Sequence, residues 1–357
     1  MDRPIVTYVV ATYNRPDTLK VALQSLIRQS YKNWRAIVVG DRCDGRTAAC
    51  IAGIDDTRIS YVNLTTRCGE QSGPNSVGMS LVSTPFLGFL NHDDVLLPDH
   101  VAYGLERMRQ HNADFFIGKA ARLERTDAGA DGDLQLLFST ITPMSRDVTG
   151  TLRGATWDFE PCSTWIVNTK RAHRIGLWRR STTIHRTPLA DWILRAWRAR
   201  ATFTFGERVT AIWVTTHYQR KDATRSGVYA VQSVEHAYID TLLNTVSCDD
   251  IRARIAAGLI SAVPVERAQE HGSRNQPGSS KPHMVVAHLL ARWLYRHVRI
   301  DLYAIQARLG GRDREWDAKA LSRLKTGDDN FSDHLDYASL VRQVRQRFQK
   351  SSEGSGP

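Results

Sequence analysis

The feature that most constrains this chain is its first forty residues, where an apolar β-branched run, a helical stripe and a second apolar run are separated only by short turns. Residues 4–12 (PIVTYVVAT) have the composition of a strand buried on both faces. Tyr13 to Asp17 is a turn holding Asn14 and Pro16. From Thr18 to Gln29, Leu19, Ala22, Leu23, Leu26 and Ile27 fall on one helical face. Trp34 to Val39 (WRAIVV) is a strand again. Strand, helix and strand in so short a span form a right-handed βαβ unit, so the sheet begins parallel. In such sheets ligands gather beyond the carboxyl ends of the strands.

The same alternation continues. Thr47 to Ile54 is a short helix, Ile59 to Leu64 a third strand, Arg67 to Gly73 a Gly-containing loop, and Asn75 to Val82 a helix. Phe86 to Leu90 is a fourth strand that stops abruptly at Asn91-His92-Asp93-Asp94; a second apolar cluster then leads through Pro98 into a helix over His100 to Arg109. Polar residues follow each of the strongest strands: Thr12, Tyr13 and Asn14, then Asp41, then Asp93 and Asp94. Parallel strands bring those ends to one crevice.

Further on, Phe115 to Ala121 is a strand, and residues 126–153, rich in Gly, Asp, Thr and Ser, resist assignment. Ser163 to Asn168 is a strand and Lys170 to Ile175 a short helix. Pro188 to Arg200 is a helix with Leu189, Trp192, Ile193, Ala196 and Trp197 on its apolar face. Residues 202–205 and 211–216 are strands, 231–260 helical. The expected division is a main domain over 1–225, a helical extension over 226–271, a Gly/Ser/Pro-rich linker over 272–282, a helical C-terminal region over 283–350 and a disordered tail over 351–357. Val285, Val286, Leu289, Leu290, Trp293 and Leu294 form an apolar stripe with arginines interspersed, suited either to packing on the main domain or to an anionic membrane surface.

The 357 residues carry a net charge of +11, which suits anionic partners: nucleic acid, a membrane surface or phosphorylated substrates. Base-stacking aromatics are not interleaved with the basic clusters, which speaks against nucleic acid. Five scattered cysteines with no CxxC pair argue against a disulfide framework or a zinc site, and for a reducing compartment. No apolar run is long enough for a membrane span, and no leader peptide is expected. The expected location is cytoplasmic, with peripheral association at the inner face of a membrane.

Two adjacent carboxylates past a buried strand read as half of a metal-diphosphate site, because Mg²⁺ and Mn²⁺ take one or two carboxylates and complete their shell with water and phosphate. The competing reading of Asn91 to Asp94 is a polar turn that caps the next helix. Asp41 suits an imide N–H such as that of uracil, or a helix cap.

Several motifs in order carry a resemblance. Ala11-Thr12-Tyr13-Asn14-Arg15 ends the first strand, Ser25-Leu26-Ile27-Arg28-Gln29-Ser30-Tyr31 ends the first helix, and Val38-Val39-Gly40-Asp41 ends the second strand. Phe89-Leu90-Asn91-His92-Asp93-Asp94 and Ala190-Asp191-Trp192-Ile193-Leu194-Arg195 follow. Together they resemble family 2 glycosyltransferases of the GT-A fold over about the first 225 residues. Gly40, Asn91 and Ala190 stand where that family usually carries acidic residues. The implied fold is α/β, a Rossmann-like mixed, mainly parallel sheet flanked by helices, with a C-terminal helical appendage.

The resemblance implies a metal-dependent inverting enzyme that moves a sugar from a nucleotide-sugar, chiefly a UDP-sugar, to a hydroxyl of a saccharide or lipid-linked saccharide. Ala11, Thr12, Tyr13, Asn14, Asp41, Asn91, His92, Asp93 and Arg220 are expected at the donor. Asp93, with Asp94 and His217, is expected at a Mn²⁺ or Mg²⁺ ion, and Asp191 is expected to be the general base. Each has a plainer alternative: ordinary packing for Tyr13, loop fixing for Asp94, loop surface for His217 and Arg220, a first-turn helix charge for Asp191. The rival functions are an inactive nucleotide-sugar-binding module and a basic nucleic-acid-binding protein.

Overall fold

The computed structural model describes residues 5–126, 135–143, 159, 161–184, 187–214, 233–261, 293–294 and 335–353. Four parallel strands, β1 (Val6–Thr12), β2 (Trp34–Gly40), β3 (Ile59–Asn63) and β4 (Phe86–Asn91), form the first half of one sheet in the order β3-β2-β1-β4. Helices α1 (Pro16–Ile27), α2 (Gly45–Ala52) and α3 (Ser72–Leu81) connect them as crossovers. All seven residues of β1 are buried, as the unbroken apolar run requires. α1 starts with Pro16 in its first turn, where the missing N–H costs nothing.

The second half is mixed. β4 pairs antiparallel with β8 (Trp165–Asn168), which pairs antiparallel with β6 (Phe115–Thr126). β6 runs parallel to β9 (Phe203–Val214), and β9 carries the short β5 (Val95–Leu96) antiparallel at the far edge. β7 (Gln135–Thr142) pairs with β6 off this path, completing nine strands. The architecture is therefore the expected α/β one, a mixed, mainly parallel sheet with helices, whose first half is parallel and whose second half is mixed.

α4 (His100–His111) ends in a left-handed Asn112. α5 (Thr169–Ile175) leaves β8 and ends at Gly176, whose φ of +86° favours glycine. α6 (Pro188–Arg198) buries Leu189, Trp192, Ile193 and Ala196 as its spacing predicts. On that face Phe89 of β4 meets Trp192 edge-on, and the Trp165, Trp178 and Trp192 rings stack, Trp178 on Trp192 with centroids 5.4 Å apart.

Three places differ from the sequence reading. The strands expected over 202–205 and 211–216 are one strand, β9, which follows β6 through register shifts at Ile117 to Ala120. The helix expected over 231–260 is two, α7 (Ser233–Thr245) and α8 (Cys248–Ser261), because Ser247 accepts from the Asp250 N–H and restarts the helix. α9 (Tyr337–Glu353) packs Tyr337, Leu340, Val341 and Val344 against Val62, Leu64 and Val77, and it continues through the first three residues of the expected tail. The expected linker lies outside the described residues, as does nearly all of the stripe from Val285 to Leu294. Among the described residues no helix is long and apolar enough to cross a membrane.

Candidate functional site

Register fixes the site. Thr12 of β1 pairs with Gly40 of β2, and Ala11 pairs with Asn91 of β4, so Asp41 and the Asn91 to Asp94 turn flank the end of β1 on one sheet edge. The Asp41 N–H donates to the Thr12 carbonyl at 2.8 Å, which ties the two strand ends together. Gly40 is required there: a Cβ would lie 2.6 Å from the Tyr61 hydroxyl and 2.7 Å from Asn63 Oδ1. The acidic residue usual at this place in the resembled family would meet the same two side chains.

Asp41 is 4% exposed, and each of its carboxylate oxygens accepts a backbone N–H, from Cys68 at 2.6 Å and from Gly69 at 2.8 Å. Burial raises its pKa to about 6, against the lowering effect of those two bonds and of the nearby Arg67 charge. Arg67 in turn lies over the Tyr13 ring, 4.0 Å from its centroid. Asp41 does not take its alternative role of helix cap: Asp44 caps α2, accepting from the Arg46 N–H. Asn14, at φ +47°, accepts the Asp44 N–H on its side-chain oxygen and so joins the β1 and β2 turns.

The β4 turn is built around Asp94. Asp94 is 1% exposed; its Oδ2 accepts from Asn91 Nδ2 at 2.8 Å and from Ser163 Oγ at 2.5 Å. Burial, and then the charge of Asp93, push its carboxyl well above the usual range. Asn91 spends its amide on Asp94, and its Oδ1 accepts from the Cys162 thiol. The two residues therefore lock the turn, bound to each other and to Ser163 through Asp94 Oδ2. Ser163, in the short turn Cys162–Thr164 just before β8, is the residue that turns them inward, and it also accepts the Asn91 N–H.

Asp93 points the other way. Its side chain keeps 23% exposure, and Oδ2 accepts from Arg15 Nη1 at 3.2 Å. His92 is anchored through Nδ1 to the Ala11 carbonyl at 3.0 Å, leaving Nε2 buried, without a hydrogen-bond partner and 3.9 Å from Asp93 Oδ2. Burial lowers the His92 pKa. His236 of α7 bonds the Asp93 carbonyl at 3.1 Å and braces the turn from a helix well beyond β9 in the chain. Sequence reasoning missed Arg15, Ser163 and His236. Arg15 was legible as the last residue of its motif, whereas the other two are brought in from distant segments with no local signal.

A divalent ion, as the resemblance implies, would find one suitable carboxylate here. Asp93 fits a hard cation that completes its shell with water and phosphate oxygens. Among the described residues no group of three or more His, Cys, Asp or Glu is placed to hold a metal unaided. His217 and Arg220 lie outside the described residues.

Asp191 lies in the first turn of α6, below the Thr187 cap. Its Oδ2 accepts from Arg195 Nε at 2.8 Å, and Arg195 is itself fixed to the carbonyls of Ile175 and Leu177, each at 2.7 Å. Its Oδ1 faces Arg179 Nη1 at 3.5 Å, a side chain that is 57% exposed. The next residue, Arg180, donates to the Cys68 carbonyl, and the Ser181 N–H donates to Glu70. The segment beside Asp191 is thus tied to the loop that holds Asp41. Trp192 is fully buried and is core, not a sugar platform.

Residues 7–138 match the family model described as glycosyl transferase family 2. Over 118 residues the chain is 25% identical to the Escherichia coli UDP-Glc:alpha-D-GlcNAc-diphosphoundecaprenol beta-1,3-glucosyltransferase WfgD, covering 33% of this chain and 46% of that protein. Over 104 residues it is 32% identical to the succinoglycan biosynthesis protein ExoO of Rhizobium meliloti, covering 29% of this chain and 30% of that protein. The matched segment therefore spans less than half the length of these curated relatives. Among solved structures, S. aureus TarS 1-349 in complex with UDP-GlcNAc aligns with a TM-score of 0.47 at 14% identity, covering 96% of this chain and 91% of that one.

Proposed function

The chain belongs to glycosyl transferase family 2 by its residues 7–138, and from that premise we propose that it transfers a sugar from a UDP-sugar to a hydroxyl of a saccharide or lipid-linked saccharide, with inversion. The observation that carries this reading is the shared sheet edge. Asp41 and Asp93 stand on either side of the β1 end, with Tyr13 between them.

Asp41 accepts the imide N–H of the uracil, and Tyr13, steadied by Arg67, flanks the base. Arg15, buried beside Asp93, sets a fixed positive charge near the diphosphate. Asp93 is the residue that would hold Mn²⁺ or Mg²⁺, which supplies Lewis-acid stabilisation of the leaving diphosphate when bound. Asp191 takes the proton of the acceptor hydroxyl as its oxygen attacks the anomeric carbon and the bond to the diphosphate breaks on the opposite side. One displacement of this kind inverts the centre.

Arg179, more than half exposed beside Asp191, gives the acceptor side a positive charge, which suits a diphosphate-bearing acceptor. The name of the Escherichia coli relative, with a UDP-sugar donor and a diphosphoundecaprenol-linked acceptor, supports the same choice. Such an acceptor places the enzyme at the cytoplasmic face of a membrane, where a net charge of +11 favours anionic lipid.

The test is a panel of UDP-sugars offered with a short-chain polyprenyl-diphosphate saccharide, with product mass for transfer and anomeric NMR couplings for configuration as the readouts. One UDP-sugar is expected to give a singly glycosylated product whose new linkage is inverted. Retention of configuration, or tight salt-steep binding to DNA with no affinity for UDP, contradicts the reading. The engagement of Asp191 by Arg195 favours a second reading, an inactive nucleotide-sugar-binding module, which predicts UDP binding with no turnover of any donor.

A further inference from the structure

The C-terminal helix reaches the nucleotide edge from outside the segment that matches the family. Tyr337, the first residue of α9, is 6% exposed, with its ring in an apolar cluster beside Val62, Leu64, Cys68 and Val77. Its hydroxyl lies 2.8 Å from Glu70 Oε1 and 2.8 Å from Ser72 Oγ. Glu70 Oε1 also accepts from Ser72 Oγ at 2.6 Å and from the Ser181 N–H at 3.1 Å. The two residues before Glu70, Cys68 and Gly69, are those whose N–H groups grip Asp41.

We infer that Tyr337 is a positioning residue for the nucleotide pocket. Its hydroxyl fixes Glu70, Glu70 fixes the Arg67 to Gln71 loop, and that loop both aims the Asp41 carboxylate and places Arg67 on Tyr13. The loop needs such a hold. Gly69 sits at φ +76°, and a segment that must present two consecutive amides to one buried carboxylate loses backbone freedom that an external anchor helps to offset. A hydrogen bond to a carboxylate is among the stronger ones available, and the Tyr337 ring is locked by packing, so the anchor is rigid. Because the inference rests on Asp41 as the base contact, its test separates the two.

UDP binding is measured by isothermal titration, with Mn²⁺ present, for the full chain and for Tyr337→Phe, Leu340→Ala and Asp41→Asn, each with its Tm. Tyr337→Phe keeps the ring and loses only the hydroxyl. It is expected to weaken UDP about fivefold with a small change in Tm, as the loss of one bond to a charged partner allows. Leu340→Ala, which removes packing from the same helix but no polar contact, is expected to lower Tm further and to leave UDP affinity within about twofold. Asp41→Asn is expected to weaken UDP more than either. If Asp41→Asn weakens UDP while Tyr337→Phe does not, or if Leu340→Ala weakens it as much as Tyr337→Phe, the positioning role is overturned and the nucleotide reading stands. If Asp41→Asn also leaves UDP affinity unchanged, the nucleotide reading itself fails, and the inference with it.

Discussion

The two sides of the site are built by different means. On the donor side, Asp41 extends directly from a parallel strand and is oriented by backbone groups, the Cys68 and Gly69 amides and the Thr12 carbonyl, while Asp93, in the turn after β4, is paired with the buried Arg15 side chain. On the acceptor side, Asp191 is carried by a helix and oriented by side chains, Arg195 and Arg179. Backbone ladders fix a group to within the register of the sheet, whereas ion pairs between side chains can exchange partners. The contrast matches the proposed chemistry. A nucleotide diphosphate is the same in every turnover, while the base must release its ion pair to meet an acceptor hydroxyl.

The sharpest break in this comparison is expected at Asp191. Asp191→Asn should lower transfer by about a thousandfold, the scale of losing a general base, while UDP affinity changes by less than about twofold. Single-turnover rates and titration measure the two effects. A parallel loss of UDP binding would make Asp191 part of the scaffold common to both sides.

The two arginines around Asp191 should separate next. Arg195→Ala removes the hydrogen bonds accepted by the Ile175 and Leu177 carbonyls and by Asp191 Oδ2 and should destabilise the fold by about 2–4 kcal/mol. Arg179→Ala, at an exposed side chain, should stay within about 0.5 kcal/mol. Denaturant unfolding of both variants checks this. Equal losses would mean that Asp191 is not held mainly by Arg195.

On the donor side, Gly40→Ala should cost about 1–3 kcal/mol, because the new methyl meets Tyr61 and Asn63 at the strand end. Tyr61→Phe removes one of those two atoms and should recover part of the loss, a coupling that thermal melts of the double variant detect.

A smaller effect follows from pH. Asp41 has its pKa raised to about 6 from 3.8, so folding disfavours its charged form. The stability linked to this group is therefore highest below about pH 4, falls as pH rises through the window up to about 6, and is constant above. Binding runs the other way, because the imide N–H needs the ionised carboxylate. UDP affinity should fall as pH drops below about 6, approaching tenfold per unit, and Asp41→Asn should flatten that dependence.

How much of this was legible in the sequence follows the same division. β1, β2 and β4 read plainly because each is a mainly apolar run closed by turn residues, and parallel pairing then forces Asp41 and Asp93 to one edge. The orientation of the turn was not legible. The sequence marks Asn91 to Asp94 as a polar turn without fixing which side chains face inward, and Ser163, brought alongside by the antiparallel β8, holds Asp94 and Asn91 inward while Asp93 stays partly exposed. β5 is only two residues long and its partner β9 lies more than a hundred residues further on, so no local pattern marks it. The Gly206-Glu207-Arg208 stretch reads as a break, yet β9 continues through it because β6 shifts register alongside. Tyr337 has no sequence signal, since its role depends on where α9 docks.

The most direct test of the account is titration of UDP into the full chain, with and without Mn²⁺, for the parent protein, Asp41→Asn and Asp93→Ala. The account predicts that Mn²⁺ strengthens UDP binding to the parent protein, that Asp93→Ala removes the metal's contribution, and that Asp41→Asn weakens binding whether or not metal is present. UDP binding that ignores Mn²⁺ and survives both substitutions would contradict it.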